Sequence, residues 1–299
     1  MSLFNYIITK TVPLLPKWFS KPFAKPYVAG ETVDEALLTV SNLNQKGFRA
    51  TLDILGEHVT SSDLAYKITE QYCQLYNRID DEQLNCTLSV KPTHIGLNIS
   101  YFEALKNMKL IAKKAKELHN FLRIDMENSD FTDQTFEILK DCKKNYNDIG
   151  VALQAYLYRS IEDINNLATP NFNARICKGI YKEKPSIAYN NKHDIQKNFI
   201  LMAKGMAEKG AFAGYATHDQ ELIDELLNWI KTEHIPSELF EFQVLYGVPM
   251  GDRLENLIKD GYKVRVYVPF GPDWFDYSIR RLKENPNIAT YVLKNLLKP

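Results

Sequence analysis

Three consecutive stretches set the pattern of the chain: Phe240-Glu-Phe-Gln-Val-Leu245, then Arg253-Leu-Glu-Asn-Leu-Ile-Lys-Asp260-Gly261, then Val264-Arg-Val-Tyr-Val268. A short apolar run is followed by an amphipathic segment that a glycine stops, and then by a second apolar run. Outward from this unit the alternation repeats. Further apolar runs fall at Phe48–Leu55, Cys86–Val90, Phe121–Met126, Ile149–Tyr156, Ala174–Cys177 and Ala211–Ala216, which makes eight. Between them, Tyr101–His119 carries Phe102, Leu105, Met108, Ala112, Ala115 and Leu118 at helical spacing. Gln220–Thr232 carries Leu222, Ile223, Leu226, Leu227 and Ile230 in the same way. Eight strands alternating with helices predict an α/β fold with a parallel sheet, most simply a closed (βα)₈ TIM barrel. Two-residue alternation reads as weak, as expected for strands buried on both faces. The polar stretch Lys182–Lys197, with Pro185 and Asn190-Asn191, reads as a long loop after a strand.

The 299 residues suffice for one such barrel, and 45% of them are hydrophobic. Lysine plus arginine and aspartate plus glutamate number 37 each, so no electrostatic case exists for a nucleic-acid partner. Cys73, Cys86, Cys142 and Cys177 are scattered, which suits a reducing compartment and no zinc ribbon. No His-Glu-x-x-His or carboxylate cluster with metal spacing appears, so no metal is expected. Gly-x-Ser-x-Gly and Gly-x-Gly-x-x-Gly are also missing, which argues against an esterase elbow and a Rossmann site. No apolar run is long enough to span a bilayer, and no signal peptide of the three-part form is seen. Residues 1–30 mix Lys10, Lys17, Lys21 and Lys25 with Trp18, Phe19, Phe23 and Tyr27 and hold no acidic residue. Such a segment suits either an anionic membrane surface or a proline-stiffened arm on the main domain.

In a barrel the active site lies at the C-terminal ends of the strands. Standing there are Asp53, Glu57 and His58; Lys91; Asp125, Met126 and Glu127; Gln154 and Tyr156. Arg175, Lys178, Gly179 and Tyr181 follow, then Thr217, His218 and Asp219; Gln243, Leu245 and Tyr246; and Arg265 and Tyr267. After the last run comes Tyr267-Val-Pro-Phe-Gly-Pro-Asp-Trp-Phe-Asp-Tyr277-Ser-Ile-Arg280-Arg281. On a helix, Tyr277, Arg280 and Arg281 share a face that could hold a carboxylate in a guanidinium fork. The same arginines with Glu284 could form an exposed ladder worth only about 0.3–0.5 kcal/mol per pair. A lone His218 or Asp125 is, by itself, as readily a structural residue.

Taken in order, these segments resemble the proline dehydrogenase family. The resemblance rests on Gly47-Phe-Arg-Ala-Thr-Leu-Asp-Ile-Leu-Gly-Glu57, Ser89-Val-Lys91-Pro, Arg123-Ile-Asp125-Met126-Glu127 and Leu153-Gln154-Ala155-Tyr156-Leu157. It continues through Arg175-Ile-Cys-Lys178-Gly179-Ile-Tyr181, Ala216-Thr217-His218-Asp219, Phe240-Glu-Phe-Gln243-Val-Leu245-Tyr246-Gly247 and Tyr267 to Arg281. It covers about residues 40–295 and looks like the compact monofunctional type. Two departures, Cys177 before Lys178-Gly179 and Lys182 after Tyr181, remove no chemical group.

The resemblance implies a distorted (βα)₈ barrel at residues 41–299, a helical arm at 1–40, and a C-terminal helix over the barrel mouth. It implies noncovalent FAD and oxidation of L-proline to Δ1-pyrroline-5-carboxylate, the first step of proline catabolism to glutamate. Hydride would pass from proline C5 to flavin N5 and the electrons to a membrane quinone. A pyrroline-5-carboxylate dehydrogenase would take the product. The implied location is cytoplasmic, with the inner face of the membrane as a possible contact. Asp125, Arg175 and Tyr267 would be catalytic. Lys91, Tyr277, Arg280, Arg281 and Leu245 would bind substrate, with Glu57 as a gate on Arg280. Met126, Gln154, Arg175, Lys178, Gly179, Thr217, His218 and Glu284 would hold the cofactor. Competing readings are an aldolase-type barrel with Lys178 or Lys91 as Schiff-base nucleophile, and a binding barrel without turnover.

Overall fold

The computed structural model describes residues 27–275, 277 and 278. Eight parallel strands close into a barrel in chain order. They are β1 (Arg49–Ile54), β2 (Cys86–Val90), β3 (Leu122–Ile124), β4 (Ile149–Gln154), β5 (Asn173–Cys177), β6 (Phe212–Ala216), β7 (Phe240–Leu245) and β8 (Val264–Phe270). Closure is by β1 on β8, in register from Arg49 opposite Arg265 to Ile54 opposite Phe270. Helix α1 (Val33–Gln45) precedes the barrel. Helices α2 (Ser62–Asp81), α3 (Tyr101–Glu117), α4 (Thr132–Lys143), α5 (Ser160–Leu167), α6 (Lys192–Glu208), α7 (Gln220–Thr232) and α8 (Arg253–Lys259) follow β1 to β7 in turn.

The expected barrel is therefore present, with shifted boundaries. β3 is only Leu122–Ile124, and β4 stops at Gln154 rather than Tyr156. The expected loop Lys182–Lys197 ends early, because Asn191 caps α6 by accepting from the Asp194 N–H at 2.8 Å. Residue 40, the expected limit of the arm, lies inside α1. That helix starts at a capping box in which Thr32 and Glu35 satisfy each other's backbone donors. Residues 1–26 of the arm lie outside the described residues, as do 276 and 279–299.

The alternation read as weak is in fact regular but inverted. On β1, Ala50 and Leu52 are fully buried against the helices, while Thr51 and Asp53 point into the barrel. The outer layer is apolar throughout, with α2 contributing Ala65, Ile68, Tyr72, Leu75, Tyr76 and Ile79. Each such large side chain contributes about 1.5–3 kcal/mol relative to exposure. The inner layer is polar, and small residues make room for it. A Cβ on Gly150 would lie 2.5 Å from the Arg123 Nη1, and one on Gly214 would lie 2.3 Å from the Gln243 Nε2.

One buried histidine supports the mouth from below. His94, 4% exposed, lies on the 3₁₀ turn Pro92–Ile95 after β2. It packs edge-on against Tyr72, with 6.2 Å between ring centroids, and fills the space beside Gly56. Burial, helped by the Lys91 charge, lowers its pKa from 6.5 to about 3. The unfolded chain therefore binds more protons than the folded one between those values. Stability then falls as pH drops through that window, by at most about 1.4 kcal/mol per pH unit. In His94→Gln, urea unfolding across pH 6.5 to 3 is expected to show a slope shallower by up to that amount. An unchanged slope would assign the acid sensitivity to another group.

Candidate active site

Six strands, β1, β2, β3, β5, β7 and β8, bring side chains to one charged network. Asp125, just past β3, accepts from the Arg175 Nη1 at 2.6 Å, the Ser89 hydroxyl at 2.5 Å and the Tyr267 hydroxyl at 3.1 Å. Arg175 also donates through Nε to the Gln243 Oε1 at 3.0 Å and through Nη2 to the Ser89 Oγ at 3.1 Å. Its guanidinium lies over the Tyr267 ring, 4.8 Å from the centroid, in cation–π contact. Beside this cluster, Lys91 donates to both carboxylate oxygens of Asp53, at 2.8 and 2.7 Å, and stands 3.9 Å from Asp125. Each acidic or basic side chain comes from an inward-facing position, so the strand period fixes all of them at once.

The network settles its own charges. Burial alone would raise the Asp125 carboxyl, but Arg175 and Lys91, with hydrogen bonds from Ser89 and Tyr267, hold it below the ordinary range. Burial would lower the Lys91 ammonium, but Asp53 and Asp125 raise it, so Lys91 stays charged. Burial opposes the Arg175 charge as well, and Asp125 again outweighs it. The Tyr267 phenol is pushed far up by burial and by the two carboxylates, so it acts as a donor. The arrangement is a fixed set of ion pairs and hydrogen-bond donors at a barrel mouth, suited to orienting a polar substrate and to charge that develops during reaction.

A second group lies at the ends of β4 to β7. Gln154 donates to the backbone carbonyls of Met126 and Glu127 at 3.1 and 2.8 Å. That leaves its buried Oε1 without a hydrogen-bond partner among the described residues. Gly179 has φ +102, and a Cβ there would lie 2.2 Å from the Tyr156 ring, so only glycine fits the turn after β5. Lys178 donates to Asp219 at 2.7 Å, and Lys192 reaches the same carboxylate at 3.1 Å. The Thr217 hydroxyl accepts from the Asp219 N–H, and the His218 Nε2 accepts from the Leu245 N–H at 2.8 Å. An orphaned buried acceptor on Gln154 and the flanking lysines Lys178 and Lys192 fit a large cofactor with an amide-rich ring and an anionic tail.

Of the residues singled out in the sequence, Lys91, Asp125, Arg175 and Tyr267 are brought into one cluster. Gln154, Met126, Lys178, Gly179, Thr217 and His218 ring it. Tyr277 is buried on the segment after β8, and Leu245 is half-buried. Glu57 lies half-buried on the β1–α2 loop. Arg280, Arg281 and Glu284 lie outside the described residues. Sequence reasoning left Asp53, Ser89 and Gln243 without roles. All three stand two residues from an assigned position or a neighbouring inward residue (Thr51 to Asp53, Ser89 to Lys91, Glu241 to Gln243), which is the signal that could have found them.

Residues 36–293 match the family model described as proline dehydrogenase. Proline dehydrogenase 1 of Bacillus subtilis (strain 168) is 39% identical over 275 residues, 92% of this chain and 91% of the relative. Proline dehydrogenase of Deinococcus radiodurans is 32% identical over 280 residues, covering 92% of this chain and 90% of the relative. Among solved structures, proline utilization A from Bdellovibrio bacteriovorus superposes with a TM-score of 0.83 at 24% identity. That match covers 95% of this chain and 36% of the other.

Removing the central carboxylate tests the network directly. Asp125→Ala leaves Arg175 without its carboxylate in a buried site, which costs about 3–5 kcal/mol. Urea unfolding is expected to show that loss, and a loss below about 1 kcal/mol would mean the cation is compensated by water instead.

Proposed function

The chain belongs to the proline dehydrogenase family, and from that premise we propose a flavoenzyme that oxidises L-proline to Δ1-pyrroline-5-carboxylate with noncovalent FAD. The oxidoreductase class follows from the family. The observation that carries the finer reading is the Asp125–Arg175–Tyr267 cluster with the Lys91–Asp53 pair at its side, a largely buried, charge-paired site at the mouth of the barrel.

In this reading Arg280 and Arg281 clamp the substrate carboxylate, and Lys91, oriented by Asp53, adds a further donor. Asp125 offsets the cations that would otherwise repel one another at short range. Tyr267 and Tyr277 wall the pyrrolidine ring, with Leu245 as an apolar neighbour. Gln154 and Met126 are assigned to the flavin ring, and Lys178, Gly179, Thr217, His218 and Glu284 to the rest of the cofactor. Arg175, held on three sides, is the fixed cation assigned to the flavin, where it favours the reduced, anionic form. The chemistry that FAD supplies when bound is a two-electron oxidation: hydride leaves proline C5 for N5, the ring nitrogen's lone pair closes the C=N bond, and the electrons pass to a membrane quinone. The protein's own contribution is to bind the acid in one orientation and to exclude water.

Glu57 is proposed to pair with Arg280 when substrate is enclosed. A pyrroline-5-carboxylate dehydrogenase is proposed to consume the product, in the cytoplasm at the inner face of the membrane. Among the described residues, no helix is long and apolar enough to cross that membrane. The aldolase reading is disfavoured by the ion pairs. Lys91 is held charged by Asp53, and Lys178 is bound to Asp219, whereas a Schiff-base lysine needs a neutral amine.

Two measurements check the proposal. The purified protein is expected to be yellow, and L-proline is expected to bleach it without oxygen. A colourless protein that takes up no FAD would exclude the flavoenzyme, and a yellow one that proline leaves unbleached would be a binding barrel. Arg281→Met is expected to raise the proline KM by at least tenfold with FAD still bound. An unchanged KM would remove Arg281 from the clamp.

A further inference from the structure

At the opposite end of the barrel, below the charged network, the strands enclose a chamber of about 180 Å³. At about 30 Å³ per liquid water, that is space for roughly six molecules. Its walls are unlike those of an ordinary barrel floor, which is filled by branched apolar side chains. Arg49, Arg123 and Arg265 face it, with Glu241 as the carboxylate. Arg265 donates to Glu241 at 2.6 Å and to the Ala50 carbonyl at 2.7 Å, and Arg49 approaches the same carboxylate at 3.6 Å. Arg175 closes the upper side and is already matched by Asp125. Three arginines against one glutamate leave a surplus of two positive charges.

Arg123 holds the uncompensated charge. It is 4% exposed and makes no salt bridge among the described residues. Three of its N–H donors go to the Val151 carbonyl, the Asn173 carbonyl and the Asn173 side-chain oxygen, none of which carries net charge. The Phe121 ring faces its guanidinium at 4.8 Å. Burial pushes the guanidinium well below its ordinary range, and the charge of Arg175 adds to that more than Glu241 offsets. A buried cation without a carboxylate costs several kcal/mol unless something of opposite sign reaches it. Arg49, whose side chain is 37% exposed, marks a way in from solvent.

We propose that this chamber is an internal binding site for a small inorganic anion, a halide or a compact oxyanion, held by Arg123 with Arg49 and Arg265. The site lies on the far side of Arg175 from the barrel mouth, so the anion is separate from the substrate and from the cofactor. It compensates the interior surplus that Glu241 alone does not. The inference stands on the chamber and its charges and holds whatever reaction the mouth performs.

The test uses the purified full chain and bromide. Crystals soaked in sodium bromide are expected to show an anomalous peak in the chamber beside Arg123. Thermal unfolding at equal ionic strength is expected to give a Tm several degrees higher in sodium chloride or bromide than in sodium gluconate, whose anion is too large to enter. That difference should vanish in Arg123→Met and shrink in Arg49→Gln, with circular dichroism reporting that each variant is folded. Arg49 stands at the solvent-exposed rim, so its variant carries the test if Arg123→Met does not fold. A chamber holding only water in the bromide-soaked crystal, or a chloride-over-gluconate difference that survives in Arg49→Gln at full size, would overturn the site.

Discussion

The Arg175–Asp125 ion pair is the constraint from which the inside of this barrel is built. The two side chains must meet across the interior from β5 and the end of β3, and an arginine laid across a barrel displaces whatever its neighbouring strands would put there. The residues in register with Arg175 are accordingly the smallest available: Ala152 on β4 and Gly214 on β6. Gln243, one strand further, uses the space that Gly214 leaves. Its orientation is fixed because its amide donates to Glu241 at 2.8 Å while its oxygen accepts from Arg175. Ser89 completes the set by bonding both members of the pair.

Such a network is a poor way to stabilise a protein. Each buried ion loses several kcal/mol of hydration, and the pairing at best returns it. The stability has to come from elsewhere, and the inverted strand pattern shows where. Most apolar strand residues point outward, so the barrel and its helices share one apolar shell around a mainly polar interior. A barrel with a conventional apolar interior would be more stable and would have no site. The cost concentrated at Arg175, Lys91 and Asp53 is therefore best understood as preorganisation, with charges fixed before a ligand arrives.

Much of this was legible in the sequence, for identifiable reasons. The eight strands were visible because their outward residues make apolar runs, and two of them, Cys86–Val90 and Phe240–Leu245, were read with the limits the structure shows. Arg175, Asp125 and Lys91 were visible because an arginine, an aspartate and a lysine at strand ends have few structural uses. The inward period was not recognised, and this hid Asp53 and Gln243. An inward-facing polar residue looks like any interruption of an apolar run until the closing of the barrel gives it a partner. Asp53 and Lys91 are 38 residues apart, and nothing local connects them. The start of α6 was missed for a different reason: Asn190-Asn191 reads equally as a turn or as a cap, and only the helix that follows decides.

The same geometry limits how a gate at Glu57 can work. The loop that carries it is fastened on both sides: the Leu55 N–H donates to the Phe270 carbonyl at 2.8 Å, and the N–H groups of His58 and Val59 donate to the Thr93 hydroxyl and carbonyl at 3.1 and 3.2 Å. Thr93 is itself immobilised, because its hydroxyl and N–H both donate to the buried Glu127 carboxylate. Within the loop, Gly56 has φ +149, and a Cβ there would collide with the His94 ring, so the backbone has little freedom at that point. Swinging the loop would break three backbone bonds and expose a neutral histidine whose burial is part of the fold. The gate proposed at Glu57 would therefore be a rotation of its side chain about a fixed backbone rather than the movement of a lid, with the reach of one glutamate.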